Sequence, residues 1–114
     1  MPYRFVFQVR LRPGEEKPFV EAWQNSSLAI QHMPGARGTR LHRKLGEERV
    51  YVAIAEWESK EARDQAFEKL RNPDNLYGNE MRRWPRDQDF GEWTLIGELE
   101  EVASAFPPIN KRGE

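Results

Sequence analysis

Apolar and polar side chains alternate with period two from Tyr3 to Leu11. Tyr3, Phe5, Phe7, Val9 and Leu11 fall on one side, and Arg4, Val6, Gln8 and Arg10 on the other. Nine such residues, rich in aromatic and branched types, predict a strand with one buried face. Pro13-Gly14 ends it. The period then changes: Phe19, Ala22, Trp23, Ser26, Ile30 and Met33 recur at three and four, the apolar stripe of a helix. Glu15 and Glu16 suit its positive end, Pro18 is tolerated only in its first turn, and Pro34-Gly35 stops it.

Alternation returns over Thr39–Leu45, with Thr39, Leu41 and Leu45 against Arg40, His42 and Lys44. After Gly46-Glu47-Glu48, the run Val50–Trp57 (VYVAIAEW) is apolar on both sides, as expected of a central strand. Ser59 is a good N-cap for a second helix carrying Ala62, Ala66, Phe67 and Leu70 inward, and Asn72-Pro73 ends that helix. Residues 73–93 show no clean period and mix Tyr77, Trp84, Phe90 and Trp93 with Arg82, Arg83 and Arg86; Asn79–Trp84 is expected to form a helical turn. Thr94–Val102 alternates once more, placing Leu95, Gly97 and Leu99 against Ile96, Glu98 and Glu100.

The predicted order is strand–helix–strand–strand–helix–strand, the α+β ferredoxin-like βαββαβ arrangement, with an antiparallel sheet and both helices on one face. Val50, Val52 and Ile54 alternate with Tyr51, Ala53, Ala55 and Trp57, so the central strand has no solvent face and something must cover its second side. A second copy packed sheet to sheet is the simplest cover, so a homodimer closing into a barrel is expected. One domain over residues 1–106 and a polar tail over 107–114 account for the 114 residues.

Composition narrows the function classes. The chain has no Cys, which excludes a disulfide framework, a thiolate metal site and a cysteine nucleophile. No apolar run approaches the roughly 20 residues of a membrane span, and a cytoplasmic protein with no membrane partner is expected. Eighteen basic and nineteen acidic side chains are divided unevenly, with a balance of +4 over residues 1–49 and −5 over 50–114. The basic residues Arg37, Arg40, Arg43, Lys44 and Arg49 lack interleaved aromatics, so nucleic acid is not an expected partner. The acidic run Glu98-Glu100-Glu101 is expected to complement Arg40-Arg43-Lys44 across strands or subunits. There is no G-x-G-x-x-G, Walker loop, G-x-S-x-G or His-x-x-x-His, so no nucleotide, flavin or metal cofactor is expected.

Three stretches carry a family resemblance: Val9–Phe19 (VRLRPGEEKPF), Met33–Leu45 (MPGARGTRLHRKL) and Tyr51–Phe67 (YVAIAEWESKEARDQAF). In order and spacing the chain resembles the antibiotic biosynthesis monooxygenase-like family of dimeric α+β barrels. The resemblance implies a pocket in each subunit between sheet and helices. It also implies either oxidation of phenols or quinols without metal or flavin, or haem binding and breakdown. Trp57 stands where such relatives carry a pocket Trp, although an aromatic there equally serves as core. The Asn, Tyr and Arg that accompany that Trp in quinol oxidisers do not recur: Ala53 stands four residues before it and Arg63 six after. Haem-degrading relatives use an Asn on the first strand and a His after the second helix. Here Phe7 holds the first position and no His follows His42.

Among candidate residues, His42 can act as a base near neutral pH, and flanking Arg40, Arg43 and Lys44 would attract an acidic substrate or stabilise a phenolate. The alternative is a solvated basic strand face. His32 is a charge partner for the first helix's C-terminus. Arg4, Gln8 and Arg40 are candidate substrate-binding residues beside His42. Tyr77, Arg82 and Trp84 would close the pocket mouth or bury at a dimer contact. The expected function is a cofactor-independent monooxygenase acting on a small aromatic phenol- or quinol-like substrate, with Trp57 and His42 as catalytic residues. The alternatives are a non-catalytic dimeric small-ligand-binding protein of the same fold, and a dimer that fills its own pocket and acts through partners.

Overall fold

The computed structural model describes residues 2–72, 75 and 89–108. Its elements are β1 (Tyr3–Leu11), α1 (Glu16–Ile30), β2 (Ala36–Arg43), β3 (Val50–Trp57), α2 (Lys60–Arg71) and β4 (Gly91–Glu100). They build one antiparallel sheet in the order β2-β3-β1-β4, which is the ferredoxin-like arrangement with β1 and β3 in the middle. Opposed residues share a face of the sheet. Tyr3, Phe5, Phe7 and Val9 of β1 oppose Trp57, Ala55, Ala53 and Tyr51 of β3, and this row packs under the helices.

Two apolar clusters hold the helices down. Phe19 and Trp23 of α1 meet Phe7, Val9, Leu11, Tyr51 and Ala53. Ile30 and Met33 meet Tyr3, Trp57, Ala66 and Leu70. Phe19 and Val9 are completely buried, each contributing about 1.5–3 kcal/mol of hydrophobic stabilisation. Ser59 caps α2, its Oγ accepting from the Ala62 N–H at 3.1 Å. No helix among the described residues is long and apolar enough to cross a membrane.

β2 and β4 are displaced from their expected limits, and both displacements have a local cause. β2 begins at Ala36 because Gly38, at φ +104°, absorbs an irregularity between Ala36 and Thr39 that lets the chain pair earlier with β3. β4 begins at Gly91, where a Cβ would stand 2.0 Å from the Arg10 carbonyl oxygen. A bulge opposite Val6/Phe7 then breaks the alternation expected of this strand. Leu95 opposes Phe7 on the helix side, but Leu99 opposes Arg4 on the other face. Glu98 and Glu100 oppose Phe5 and Tyr3 on the helix side.

Within one chain the acidic run has other partners than the basic residues of β2. β4 and β2 are opposite edges of the sheet, so within one chain their charges cannot meet. Glu98 pairs instead with Lys60 at 3.3 Å, and Glu101 with Arg4 at 3.0 Å. Lys44 pairs with Glu47 at 3.1 Å. Residues 101–108 form no helix or strand, and Phe106 is 83% exposed. The helical turn expected over Asn79–Trp84 lies outside the described residues.

Candidate functional site: a cavity between sheet and helices

Short side chains face one another where the middle of the sheet passes beneath the helices: Ala55 on β3, Thr39 on β2 and Ser27 on α1. Interiors are close-packed, so a run of small residues among large ones leaves a hollow unless a neighbour fills it. Here none does. A cavity of about 300 Å³ remains, at the small end of the range of ligand pockets. Phe5 and Phe7 form its floor on β1, Trp57 and Phe67 one wall, and Trp93 and Leu95 another. The rings are mutually braced: Phe7 and Trp93 lie 4.8 Å apart, and Trp57 and Phe67 6.2 Å apart.

The polar groups are few. Thr39 donates its hydroxyl to the Ile54 carbonyl at 3.3 Å. Ser27 is 4% exposed, and its buried Oγ has no hydrogen-bond partner among the described residues. Such a group costs about 1–3 kcal/mol when left unpaired, so a bound hydrogen-bonding ligand would relieve it. Gln31 lies at the exposed end of α1. Arg63 is the one charged side chain among the described walls. Its guanidinium carbon lies 5.1 Å from the Phe5 ring centre and 4.7 Å from that of Phe67, while Nη1 reaches Asp64 at 3.2 Å.

The candidates read from sequence divide between the two faces of the sheet. Trp57, 2% exposed, lies against the cavity and also belongs to the core cluster beneath α2. His42, Arg40, Gln8 and Arg4 oppose Val52, Ile54, Val52 and Glu56, on the face turned away from the helices. His42 and Trp57 are therefore not brought together. Strand parity separates them, since Leu41 and Thr39, not His42, share the side of Trp57. The His42 ring nitrogen Nδ1 lies 3.3 Å from the Val52 carbonyl oxygen. Arg4 is held by carboxylates, Glu56 at 2.6 Å and Glu101 at 3.0 Å, and these hydrogen bonds raise its already high pKa. Tyr77, Arg82 and Trp84 lie outside the described residues.

Several cavity residues escaped the sequence reading. Ser27 and Arg63 carried a usable signal: a second serine at the buried shoulder of α1, and an arginine one turn before an inward Phe67 on α2. The hollow itself carried none. Neither imidazole of the chain reaches it, so its described walls offer no axial nitrogen for a haem iron. Among the described residues no cluster of His, Asp or Glu could hold a metal ion.

Residues 2–71, more than half of the chain, match the family model described as antibiotic biosynthesis monooxygenase. No curated protein matches the chain. Among solved structures, a variant of SnoaB, described as a cofactor-independent oxygenase from Streptomyces nogalater, aligns with a TM-score of 0.66 at 18% identity, covering 90% of this chain and 95% of that one. A variant of MhuD with two manganese protoporphyrin IX molecules bound per active site gives 0.66 at 20% identity, over 92% and 99%. PA3566 from Pseudomonas aeruginosa gives 0.65 at 13% identity, over 90% and 95%. At these identities the likeness is one of fold.

Proposed function

The chain belongs to the antibiotic biosynthesis monooxygenase family, and we propose that it is a homodimeric, cofactor-independent monooxygenase acting on a small phenol- or quinol-like aromatic. The observation that carries this reading is the cavity of about 300 Å³ walled by five aromatic rings with one cation beside them. Ground-state oxygen is a triplet and reacts slowly with molecules whose electrons are paired. An ionised, electron-rich phenol can pass it one electron, giving a phenoxyl radical and superoxide that combine into a C–O bond. Loss of water from that hydroperoxide leaves a quinone. One oxygen atom enters the product, the other leaves as water, and the substrate supplies all four electrons. The protein's work is then to hold the anion and keep bulk water away from it. Aromatic walls suit the second task and Arg63 the first.

Trp57 lies along the substrate in this reading. Oxygen uptake with a panel of quinols and phenols tests it: turnover by the wild-type chain, slowed at least tenfold in Trp57→Phe with the fold retained, is the expected result. Consumption no faster than in buffer would leave only the binding reading. That second reading has its own support, since no described wall residue carries a carboxylate, imidazole, phenol or amine to move a proton.

The homodimer rests on the outer face. Val52 and Ile54 are only half-buried at the centre of the sheet, and Leu99, opposite Arg4 on the same face, is 52% exposed. A second copy laid against this face would cover them. Sedimentation at micromolar concentration is expected to give twice the 13.5 kDa of one chain, and a monomer there would refute the barrel.

A further inference from the structure

The cavity has a fixed cation and no described proton acceptor, and these two facts together constrain what it can take. A group that must be deprotonated in place needs a base within hydrogen-bond reach. A group that arrives ionised needs only a counter-charge. Arg63 is built for the second role. It projects from α2 over the Phe5 and Phe67 rings, 5.1 and 4.7 Å from their centres, with Nη1 paired to the Asp64 carboxylate at the exposed side at 3.2 Å. Stacked in this way, a guanidinium keeps its edge N–H donors in one plane, a geometry that suits an oxyanion on a flat molecule lying along the same rings. Ser27 supplies a second, independent mark of a ligand. Its hydroxyl is buried, lines the same cavity from α1 and is unpartnered among the described residues.

We propose that Arg63 is the specificity-determining residue of this cavity: it admits hydroxyarenes as their anions, pairing with the ionised oxygen, while the Ser27 hydroxyl meets a second polar group. The inference rests on the aromatic-ligand reading above and deepens it. The acidity that matters is the substrate's own. Binding then rises with pH through the ionisation of the free phenol, turnover of the bound phenol through an ionisation that contact with Arg63 lowers, and neither tracks an imidazole or carboxylate of the cavity wall.

4-Nitrophenol and its O-methyl ether, 4-nitroanisole, test this on the full chain without any need for turnover. They share a ring and a nitro group, but only the phenol ionises. The wild-type protein is expected to bind 4-nitrophenolate at least tenfold more tightly than 4-nitroanisole, and the yellow absorbance of the bound phenol to appear at least one pH unit lower than in buffer. Arg63→Met keeps the stem that packs on the rings and removes the charge; Arg63→Gln, measured beside it, does the same with a polar end. Both are expected to reduce the preference to about one, with 4-nitroanisole affinity within twofold of wild type, while Arg63→Lys retains a clear preference. The assignment is overturned if the preference survives in the Met and Gln variants, or if the Lys variant behaves as they do. If 4-nitroanisole does not bind the wild-type chain at all, or binds equally well when the cavity is filled by Ala55→Leu, the cavity reading itself falls and the role of Arg63 with it.

Discussion

Tyr51 on β3 donates its phenolic hydrogen to the Glu16 carboxylate on α1 at 2.6 Å. The bond ties the first turn of the helix to the central strand, and the carboxylate acceptor makes it a charge-assisted contact. Arg43 Nε approaches the same phenol oxygen at 3.4 Å. Tyr51→Phe is therefore expected to destabilise the fold by about 1.5 kcal/mol, lowering Tm by roughly 5 °C. Urea and thermal melts measure it. A loss below 0.5 kcal/mol on this scale would show the contact to be superficial.

Gly35 turns the chain between α1 and β2 at φ +88°, and a Cβ there would stand 2.6 Å from that of Ala62. Gly35→Ala meets both a strained backbone and a clash with the first turn of α2. It is expected to cost about 2–3 kcal/mol. Gly14→Ala, at φ +83° with open space around it, meets only the first problem and is expected to cost about 1 kcal/mol. Chemical denaturation of the two variants side by side separates backbone strain from crowding.

Ala55 and His42 sit on opposite faces of adjacent strands, and only Ala55 touches the cavity. Ala55→Leu fills part of the hollow and is expected to reduce affinity for an aromatic ligand at least tenfold, with Tm unchanged or raised. His42→Ala is expected to leave ligand affinity and oxygen uptake within twofold of wild type. Loss of uptake in His42→Ala would return that imidazole to the chemistry.

Burial pushes the Tyr3 phenol above its ordinary value; the nearby Arg63 charge works against this, and Glu98 adds to it. The folded state thus favours the neutral phenol more strongly than the unfolded chain does. Its contribution is fully present below about pH 10, the unfolded value, and is lost as pH rises through the higher folded value. Stability measured across the alkaline range is expected to fall more steeply for the wild-type chain than for Tyr3→Phe.

Much of the fold was legible because apolar period and punctuation agreed. Val50–Trp57 could be bounded from its own residues, and Ser59 marked the start of α2 by a cap that the structure contains. The shifted β2 and β4 were not legible. Gly38 and Gly97 each admit a local irregularity, and only the partner strand decides whether it is used. The cavity was harder still. Trp57 could be singled out, but the hollow beside it comes from small side chains on three separate elements, which no local window brings together. His42 and Trp57 were expected to serve one site. Which side of the pleat each takes depends on register, and register is a property of the assembled sheet.

All six secondary-structure elements contribute a wall to the cavity. A guest therefore touches every part of the scaffold at once, and its grip is inseparable from the cohesion of the whole molecule. A compound present at a hundred times its dissociation constant should add about 2.7 kcal/mol against unfolding. Plain heating curves recorded over a chemical library can consequently serve as the assay that finds the natural guest, before any reaction is known.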